Sequence, residues 1–122
     1  MSKAISTTLL ALFAATMLAT AVDAHPMLKA ASPAAESTVA APMEIRLTFS
    51  EGVIAKFSRA EVKDQGGKKI AIGKVTTDPT DHKQLIVGLL LPLPEGSYTV
   101  NWNVVSVDTH RVTGAYTFKV GR

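Results

Sequence analysis

The sequence predicts an all-β fold, an antiparallel β-sandwich or Greek-key barrel of about seven short strands. Three observations lead to this prediction. Apolar and polar residues alternate with a period of two along several segments, which is typical of half-buried strands. Turn-forming residues separate those segments at regular intervals. Beyond the first two dozen residues, no segment keeps a helical period over a useful length.

The first two dozen residues have the composition of a secretory signal peptide. Lys3 supplies a positive start, residues 5–22 form an uncharged apolar run, and Val22-Asp23-Ala24 places small residues at the −3 and −1 positions. We therefore expect residues 1–24 to be removed on export, leaving residues 25–122 as a single domain. The alternative is an uncleaved membrane anchor, for which the run is near the lower limit of length.

Cysteine content and charge narrow the range of functions. The 122-residue chain has no cysteine, so an exported form has no disulfide and is held together by packing. It has 13 basic and 10 acidic residues, a formal net charge of +3. This mild and scattered charge gives no reason to expect nucleic-acid binding.

The first predicted elements surround one clear strand. Residues 27–33 suggest an edge strand, and residues 33–42, rich in Ala, Ser and Thr, suggest a loop. Residues 44–49 alternate cleanly, which predicts a half-buried strand. Residues 53–58 are ambiguous between a short helical turn and irregular chain. The inward-facing residues of the clear strand are Ile45, Leu47 and Phe49.

The middle of the chain suggests a hairpin followed by a buried strand. Residues 59–63 and 68–75 are expected to pair across a turn at residues 64–67. Residues 76–83 are polar and are expected to form a turn, and the apolar residues 84–91 are expected to form a buried strand.

The two last strands carry the strongest alternation. Residues 97–105 form the longest alternating run, and residues 113–120 close the chain. Tyr98 follows Pro94-Glu95-Gly96, an arrangement similar to the tyrosine corner of immunoglobulin-like sandwiches.

Cleavage after Ala24 would make His25 the N-terminal residue. A free α-amine has a pKa near 8 and can give up its proton to a metal at neutral pH. The amine and the Nδ1 atom of His25 would then form a chelate, which no internal histidine can do. Pro26 follows, and its fixed φ stiffens the chain behind that chelate.

Asp108 and His110 are a second source of metal ligands. If residues 105–110 are extended, these two side chains share a face about 6.5 Å apart and can reach one ion. Such pairs also occur as ordinary structural contacts. Together with His25, from a first strand expected beside a late one, the donors are three nitrogens and one oxygen. This set suits Cu(II), with Zn(II) as the competitor.

Three other features could be taken for metal-binding or catalytic sites, and for each a structural role is the better interpretation. His82 lies in a polar stretch that we interpret as a solvated turn. Ser106 shares the predicted face of the carboxylate–imidazole pair, but neither a glycine elbow nor an oxyanion device accompanies it, so a hydrolase triad is disfavoured. Met27 and Met43 are far apart and are expected to pack, which gives no thioether cluster for Cu(I).

Taken together, the motifs resemble the CopC family of periplasmic copper-resistance proteins over essentially the whole mature chain. The resemblance rests on segments that are specific only in combination. They are His25-Pro26, Ser32-Pro33, Leu47-Thr48-Phe49-Ser50-Glu51, Gly96-Ser97-Tyr98-Thr99-Val100-Asn101-Trp102, Val105-Ser106-Val107-Asp108-Thr109-His110 and Gly114-Ala115-Tyr116-Thr117-Phe118-Lys119-Val120.

The resemblance implies a Greek-key sandwich of cupredoxin- or immunoglobulin-like type in the periplasm. It implies Cu(II) bound by the amine and imidazole of His25, by Asp108 and by His110, with Glu51 beside the metal rather than among its ligands. Some family members hold Cu(I) in a methionine-rich loop. The corresponding residues 61–75 contain no methionine or histidine, so the chain resembles the Cu(II)-only type.

The implied function is a monomeric binding protein that sequesters Cu(II) or passes it to a CopD-like inner-membrane importer. Two alternatives remain open. An N-terminal histidine chelate with a second histidine also resembles the copper site of polysaccharide monooxygenases, but Asp108 would occupy the position that oxygen needs, so we do not expect an enzyme. The third possibility is a structural sandwich that binds no metal.

Overall fold

The computed structural model describes residues 26–121, which form two packed four-stranded β-sheets. The predicted β-sandwich is therefore confirmed. A 3₁₀ helix at Ala55–Phe57 is the one helix among the described residues, and none of them form a helix that could span a membrane. The strands are β1 (Leu28–Ser32), β2 (Thr38–Val39), β3 (Glu44–Phe49), β4 (Arg59–Asp64), β5 (Ile72–Asp78), β6 (Asp81–Leu89), β7 (Gly96–Val105) and β8 (Arg111–Val120).

The two sheets have the strand orders β1-β3-β6-β5 and β2-β8-β7-β4. Neighbouring strands are antiparallel, except that β2 lies parallel to β8. Because β3 pairs with β6 and β4 with β7, the chain crosses between the sheets several times. The prediction of an edge strand at the start of the domain is correct, since β1 lies at the edge of its sheet.

The core lies between the sheets and is formed by alternate residues of the central strands. In β3, Ile45 and Leu47 are fully buried and Phe49 is 1% exposed, as the alternation predicts. Removing each such side chain from water stabilises the fold by roughly 1.5–3 kcal/mol. The other strands contribute Val62, Leu85, Val87, Tyr98, Val100, Val104, Tyr116, Phe118 and Val120.

The tyrosine corner predicted before β7 is present. The Tyr98 hydroxyl donates a hydrogen bond to the carbonyl of Pro94 at 2.6 Å. Leu93, just before, is 4% exposed and packs in the core. Burial raises the pKa of the Tyr98 hydroxyl, so this donor keeps its proton at neutral pH.

The predicted hairpin of residues 59–63 and 68–75 is present only next to its turn. The turn is there, since the Asp64 amide donates to the Lys68 carbonyl at 2.9 Å and Lys63 forms an isolated bridge with Lys69. Beyond it the two segments separate, because β4 pairs with β7 and β5 pairs with β6 in the other sheet. A local turn signal does not specify which long-range partner each strand takes.

Two other segments differ from expectation. The predicted loop at residues 33–42 contains β2, which adds to the edge of the second sheet beside β8. The polar turn predicted at residues 76–83 is only Pro79 and Thr80 long, so His82 lies in β6 rather than in a turn. Asp78 makes this short turn possible, because its Oδ1 accepts hydrogen bonds from the amide and hydroxyl of Thr80.

Candidate metal centre

Residues 106–110 form a tight turn between β7 and β8, and the prediction of extended chain is wrong here. The Ser106 amide donates to the His110 carbonyl at 2.8 Å, and the Thr109 amide donates to the Ser106 carbonyl at 2.8 Å. Thr109 has a φ of 71°, which is uncommon for a β-branched residue. The turn follows from the pairing of β7 with β8, which leaves five residues between Val105 and Arg111.

The turn nevertheless brings the predicted pair together. The Nδ1 atom of His110 lies 3.2 Å from Oδ1 of Asp108. Two donors each about 2 Å from one ion are separated by roughly 2.8–3.3 Å when the angle at the metal is square or tetrahedral. The spacing therefore fits two neighbouring ligands of one metal ion. The side chains of Asp108 and His110 are 42% and 44% exposed as a whole, although the Nδ1 atom of His110 is itself shielded from solvent in this conformation.

The hydroxyl of Ser106 is the buried support of this pair. Ser106 is fully buried, and its Oγ donates a hydrogen bond to Oδ1 of Asp108. The Ser106 hydroxyl, and after it His110, lower the pKa of the Asp108 carboxyl, which keeps this group charged at neutral pH. The serine proton goes to a carboxylate rather than to an imidazole base, which is not the contact order of a hydrolase triad.

The start of the described chain is held at the same end of the sandwich. The Met27 amide donates to Oγ of Ser50 at 2.9 Å, and the Ser50 amide donates to the Met27 carbonyl at 2.8 Å. Pro26 is less than 2% exposed. His25, the predicted chelating residue, lies outside the described residues, but Met27, two residues later, is anchored beside the end of β3.

A short segment connects this anchor to the turn. Two residues after Ser50, the carbonyl of Gly52 accepts a hydrogen bond from the Val107 amide at 2.9 Å, and Val53 forms a β-bridge with Ser106. The expectation that the first strand lies beside a late strand is wrong, because β1 pairs with β3. The start of the domain approaches the Asp108–His110 turn through residues 50–53 instead.

Glu51 occupies the middle of this connecting segment and is half-buried. Its neighbour Ser50 contacts Met27 at the start of the domain, and its neighbour Gly52 contacts Val107 on the turn that carries Asp108 and His110. Among residues 26–121, no three His, Cys, Asp or Glu side chains come together as a metal-binding group. The predicted donor set includes a residue that precedes this range.

His82 is closer to the turn than the sequence indicates. Its carbonyl accepts a hydrogen bond from the Val53 amide at 2.9 Å. A Cβ built on Gly52 would lie 3.8 Å from the His82 Cβ and 3.3 Å from a Val107 methyl. His82 and the turn therefore flank Gly52. Sequence reasoning missed this proximity because it depends on where β6 begins.

The two methionines of the described chain do not pack as predicted. Met27 is 54% exposed and Met43 is 85% exposed. They also lie at opposite ends of β3, since Met27 contacts Ser50 and the Met43 carbonyl accepts from the Leu89 amide. The six residues of β3 span roughly 20 Å, so Met27 and Met43 cannot be ligands of one ion.

The fold and the site define a small β-sandwich with a carboxylate and an imidazole on a hairpin turn, at the end where the domain begins. The chain belongs to the CopC family, because the CopC domain model matches residues 28–121. It is 42% identical over 103 residues to copper resistance protein C of Escherichia coli, covering 80% of this chain and 82% of that protein.

Two solved structures share the sandwich. The crystal structure of PcoC, a methionine-rich copper resistance protein from E. coli, matches with a TM-score of 0.74 and 42% identity, covering 80% of this chain and all of that chain. The crystal structure of CopC from Methylosinus trichosporium OB3b matches with a TM-score of 0.73 and 35% identity, covering 79% of this chain and 93% of that chain.

Proposed function

We propose that this protein is an exported copper-binding protein of copper resistance that holds Cu(II) at the end of the sandwich where the mature chain begins. The ligands are the amine and imidazole of His25, a carboxylate oxygen of Asp108 and the imidazole of His110. The observation that carries the proposal is the 3.2 Å spacing between His110 Nδ1 and Asp108 Oδ1, on an accessible turn supported by a buried serine.

The choice of copper is supported by the donor set and by the relatives. Imidazole and amine nitrogens with a carboxylate oxygen suit Cu(II), which also has the highest affinity among the divalent ions of its row. Copper resistance protein C and PcoC, both of E. coli and both similar to this chain, are named as copper resistance proteins. The α-amine enters the set only if the mature chain begins at His25, so cleavage after Ala24 is part of the proposal.

The small number of methionines favours the oxidised ion, Cu(II), over Cu(I). Cu(I) prefers thioether and thiolate ligands. PcoC is described as methionine-rich, whereas residues 26–121 of this chain contain only Met27 and Met43, at opposite ends of one strand. We therefore infer that the protein carries Cu(II) alone.

The fold holds the ligands in position before copper binds. It also leaves them accessible to a partner that exchanges ligands with them. The charged Asp108 offsets part of the ion's charge, and the amine and imidazoles lose their protons on binding, so affinity rises with pH. The Asp108 and His110 side chains remain more than two-fifths exposed. A partner with its own ligands, such as a CopD-like inner-membrane protein, can therefore take the ion by ligand exchange in the periplasm.

The proposal is tested by electron paramagnetic resonance of protein that starts at His25, mixed with one equivalent of Cu(II). We expect the spectrum of one Cu(II) species, with one ion bound per protein and with couplings to nitrogen ligands. His110→Ala should lose one nitrogen coupling and bind at least tenfold more weakly. A variant with one glycine added before His25 should bind much more weakly, since its amine is displaced from the imidazole.

Two results would contradict the proposal. Equal Cu(II) affinity of the glycine-extended and the mature forms would exclude the amine as a ligand. Release of oxidised sugars from chitin or cellulose, in the presence of a reductant and oxygen, would indicate an enzyme instead of a binding protein.

A further inference from the structure

We propose that Ser106 is a positioning residue of the metal centre: its one buried hydroxyl holds the carboxylate of Asp108 and the backbone of His110 in the spacing that a single Cu(II) ion needs. The inference rests on the proposed Cu(II) site and adds a residue that is not itself a ligand.

The contacts of Ser106 join the two predicted ligands. Its Oγ donates to Oδ1 of Asp108, accepts a hydrogen bond from the His110 amide at 3.2 Å and lies 3.3 Å from the His110 carbonyl. A hydroxyl has one proton to donate, and a carboxylate accepts it more strongly than a carbonyl. The His110 carbonyl is already paired with the Ser106 amide at 2.8 Å. The hydroxyl proton therefore belongs to Asp108.

Asp108 lies on an exposed part of the turn. Its neighbour Val107 is 59% exposed, and Asp108 itself is 42% exposed at the side chain. Ser106, by contrast, is fully buried and its backbone is fixed by the bridge to Val53. The buried Ser106 hydroxyl, whose position is set by the β-sandwich, therefore limits the rotation of the Asp108 carboxylate.

The contact also determines which oxygen of Asp108 faces His110. Oδ1 accepts the proton of Ser106 and lies beside Nδ1 of His110. A carboxylate oxygen has more than one lone pair, so Oδ1 can keep the hydrogen bond from the serine and still bind an ion that His110 shares. Loss of a hydrogen bond that orients a metal ligand typically weakens metal binding by roughly 10–100-fold.

Ser58 provides a matched control close to the same turn. It is 7% exposed, and with Ser106 it makes up the buried polar residues of the described chain. Its hydroxyl donates to the Ile54 carbonyl at 2.7 Å and accepts from the Val105 amide at 3.0 Å. Both hydrogen bonds are with the backbone, and neither partner is a predicted ligand. Ser58→Ala should therefore cost stability in the way Ser106→Ala does, but without disturbing the ligands.

The experiment compares the wild type, Ser106→Ala and Ser58→Ala, each starting at His25. The Cu(II) dissociation constant is measured by competition with a chelator, and the 1:1 complex is examined by electron paramagnetic resonance. We expect Ser106→Ala to weaken binding about tenfold or more and to change the g values and copper hyperfine coupling. Ser58→Ala should match the wild type in both, although both variants unfold at lower urea.

Two further comparisons make the result specific. Ser106→Thr keeps the hydroxyl and should give the wild-type spectrum. Valine has the shape of threonine without the hydroxyl, so Ser106→Val should not give that spectrum. This pair decides the question if Ser106→Ala fails to fold. In an Asp108→Ala background, Ser106→Ala should weaken Cu(II) binding less than it does in the wild type, because only the contact with the His110 backbone is left to lose.

The outcomes separate this inference from the proposed function. If the wild type binds Cu(II) and Ser106→Ala has the same affinity and spectrum as Ser58→Ala, the positioning role is wrong and the copper site remains. If the wild type shows no stoichiometric Cu(II) signal, both are wrong.

Discussion

Met27 and Ser50 bind each other through two hydrogen bonds, one from the Met27 amide to Oγ of Ser50 at 2.9 Å and one from the Ser50 amide to the Met27 carbonyl at 2.8 Å. They fix the chain two residues after His25. Ser50→Ala removes the first bond and keeps the second. A net hydrogen bond is worth about 1 kcal/mol, so we predict roughly fivefold weaker Cu(II) binding, measured by chelator competition.

The control for this prediction is Ser37→Ala, which removes a hydroxyl from the loop between β1 and β2. Oγ of Ser37 donates to the Ala34 carbonyl at 2.6 Å and is exposed. Ser37→Ala should leave the Cu(II) affinity unchanged. Hydrogen exchange at the Met27 amide gives an independent readout. Faster exchange in Ser50→Ala with wild-type affinity would show that this anchor does not support the site.

His82 is predicted not to be a copper ligand, although it lies near the turn. Its imidazole is exposed on β6, and Gly52 separates it from Val107. Its fixed contact is its carbonyl, which accepts from Val53 whatever the side chain. His82→Ala should therefore keep the affinity and the nitrogen couplings of the wild type, in contrast to His110→Ala. Loss of a nitrogen coupling in His82→Ala would place it in the coordination sphere.

The strands that the sequence predicts best are those whose two faces meet different environments. Ile45, Leu47 and Phe49 alternate with polar residues and are all buried, because one face of β3 meets the core and the other meets solvent. Tyr98 could be predicted as well, since its hydroxyl pairs with a carbonyl only four residues earlier. Patterns of this kind are local, and local information is what a single sequence carries.

The features that the sequence did not predict depend on long-range pairing. The partner of β4 is β7, roughly 40 residues later, and nothing near the Asp64 turn specifies it. The side chains of Asp108 and His110 lie close together as expected, but not in the extended conformation that the expectation assumed. Their closeness comes from a turn imposed by the β7–β8 hairpin, not from alternation along a strand. The segment at residues 50–53, which joins the start of the domain to that turn, could be seen only in the structure.

Acid stability is predicted to depend on Asp78. Its Oδ1 accepts from the hydroxyl and amide of Thr80, and its Oδ2 accepts from Arg46 at 3.0 Å, which lowers its pKa from 3.8 to about 2. A lowered carboxyl pKa stabilises the folded state above the pKa of the unfolded state, and this stabilisation is lost as the pH falls from about 4 towards 2. Wild type and Asp78→Asn should therefore differ by a constant amount above pH 5 and converge by pH 2.

The measurement is the midpoint of urea unfolding for both proteins between pH 2 and pH 7. Thr80→Val offers a check on the cause, because the Thr80 hydroxyl is the largest contribution to the shift. Its loss of stability on acidification should be smaller than in the wild type and should be complete at a higher pH, because the folded-state pKa of Asp78 then lies closer to the unfolded value. Midpoints of wild type and Asp78→Asn that stay parallel down to pH 2 would contradict the assignment.

Gly114 is predicted to be required beside Trp102. The two residues are paired across β7 and β8, and a Cβ on Gly114 would lie 2.2 Å from Cζ2 and 2.6 Å from Cε2 of the indole. The ring also packs against Phe49 and Tyr116, with centroids 6.1 and 6.2 Å away, and these contacts oppose its movement towards either residue. Gly114→Ala should cost about 1–3 kcal/mol, the usual range for overpacking, and should shift the emission of Trp102.

Gly88→Ala is the matched control for this prediction. Gly88 also lies in a strand, but a Cβ there would meet nothing within 4 Å. Glycine in a strand costs conformational entropy, so alanine at this position should be neutral or slightly stabilising. Urea unfolding followed by circular dichroism compares the two variants directly, and it also suits a Trp102 variant, which lacks the chain's single tryptophan. Equal unfolding midpoints would mean that the indole moves aside easily, whereas rescue of Gly114→Ala by Trp102→Leu would show that the clash with the ring is the cause.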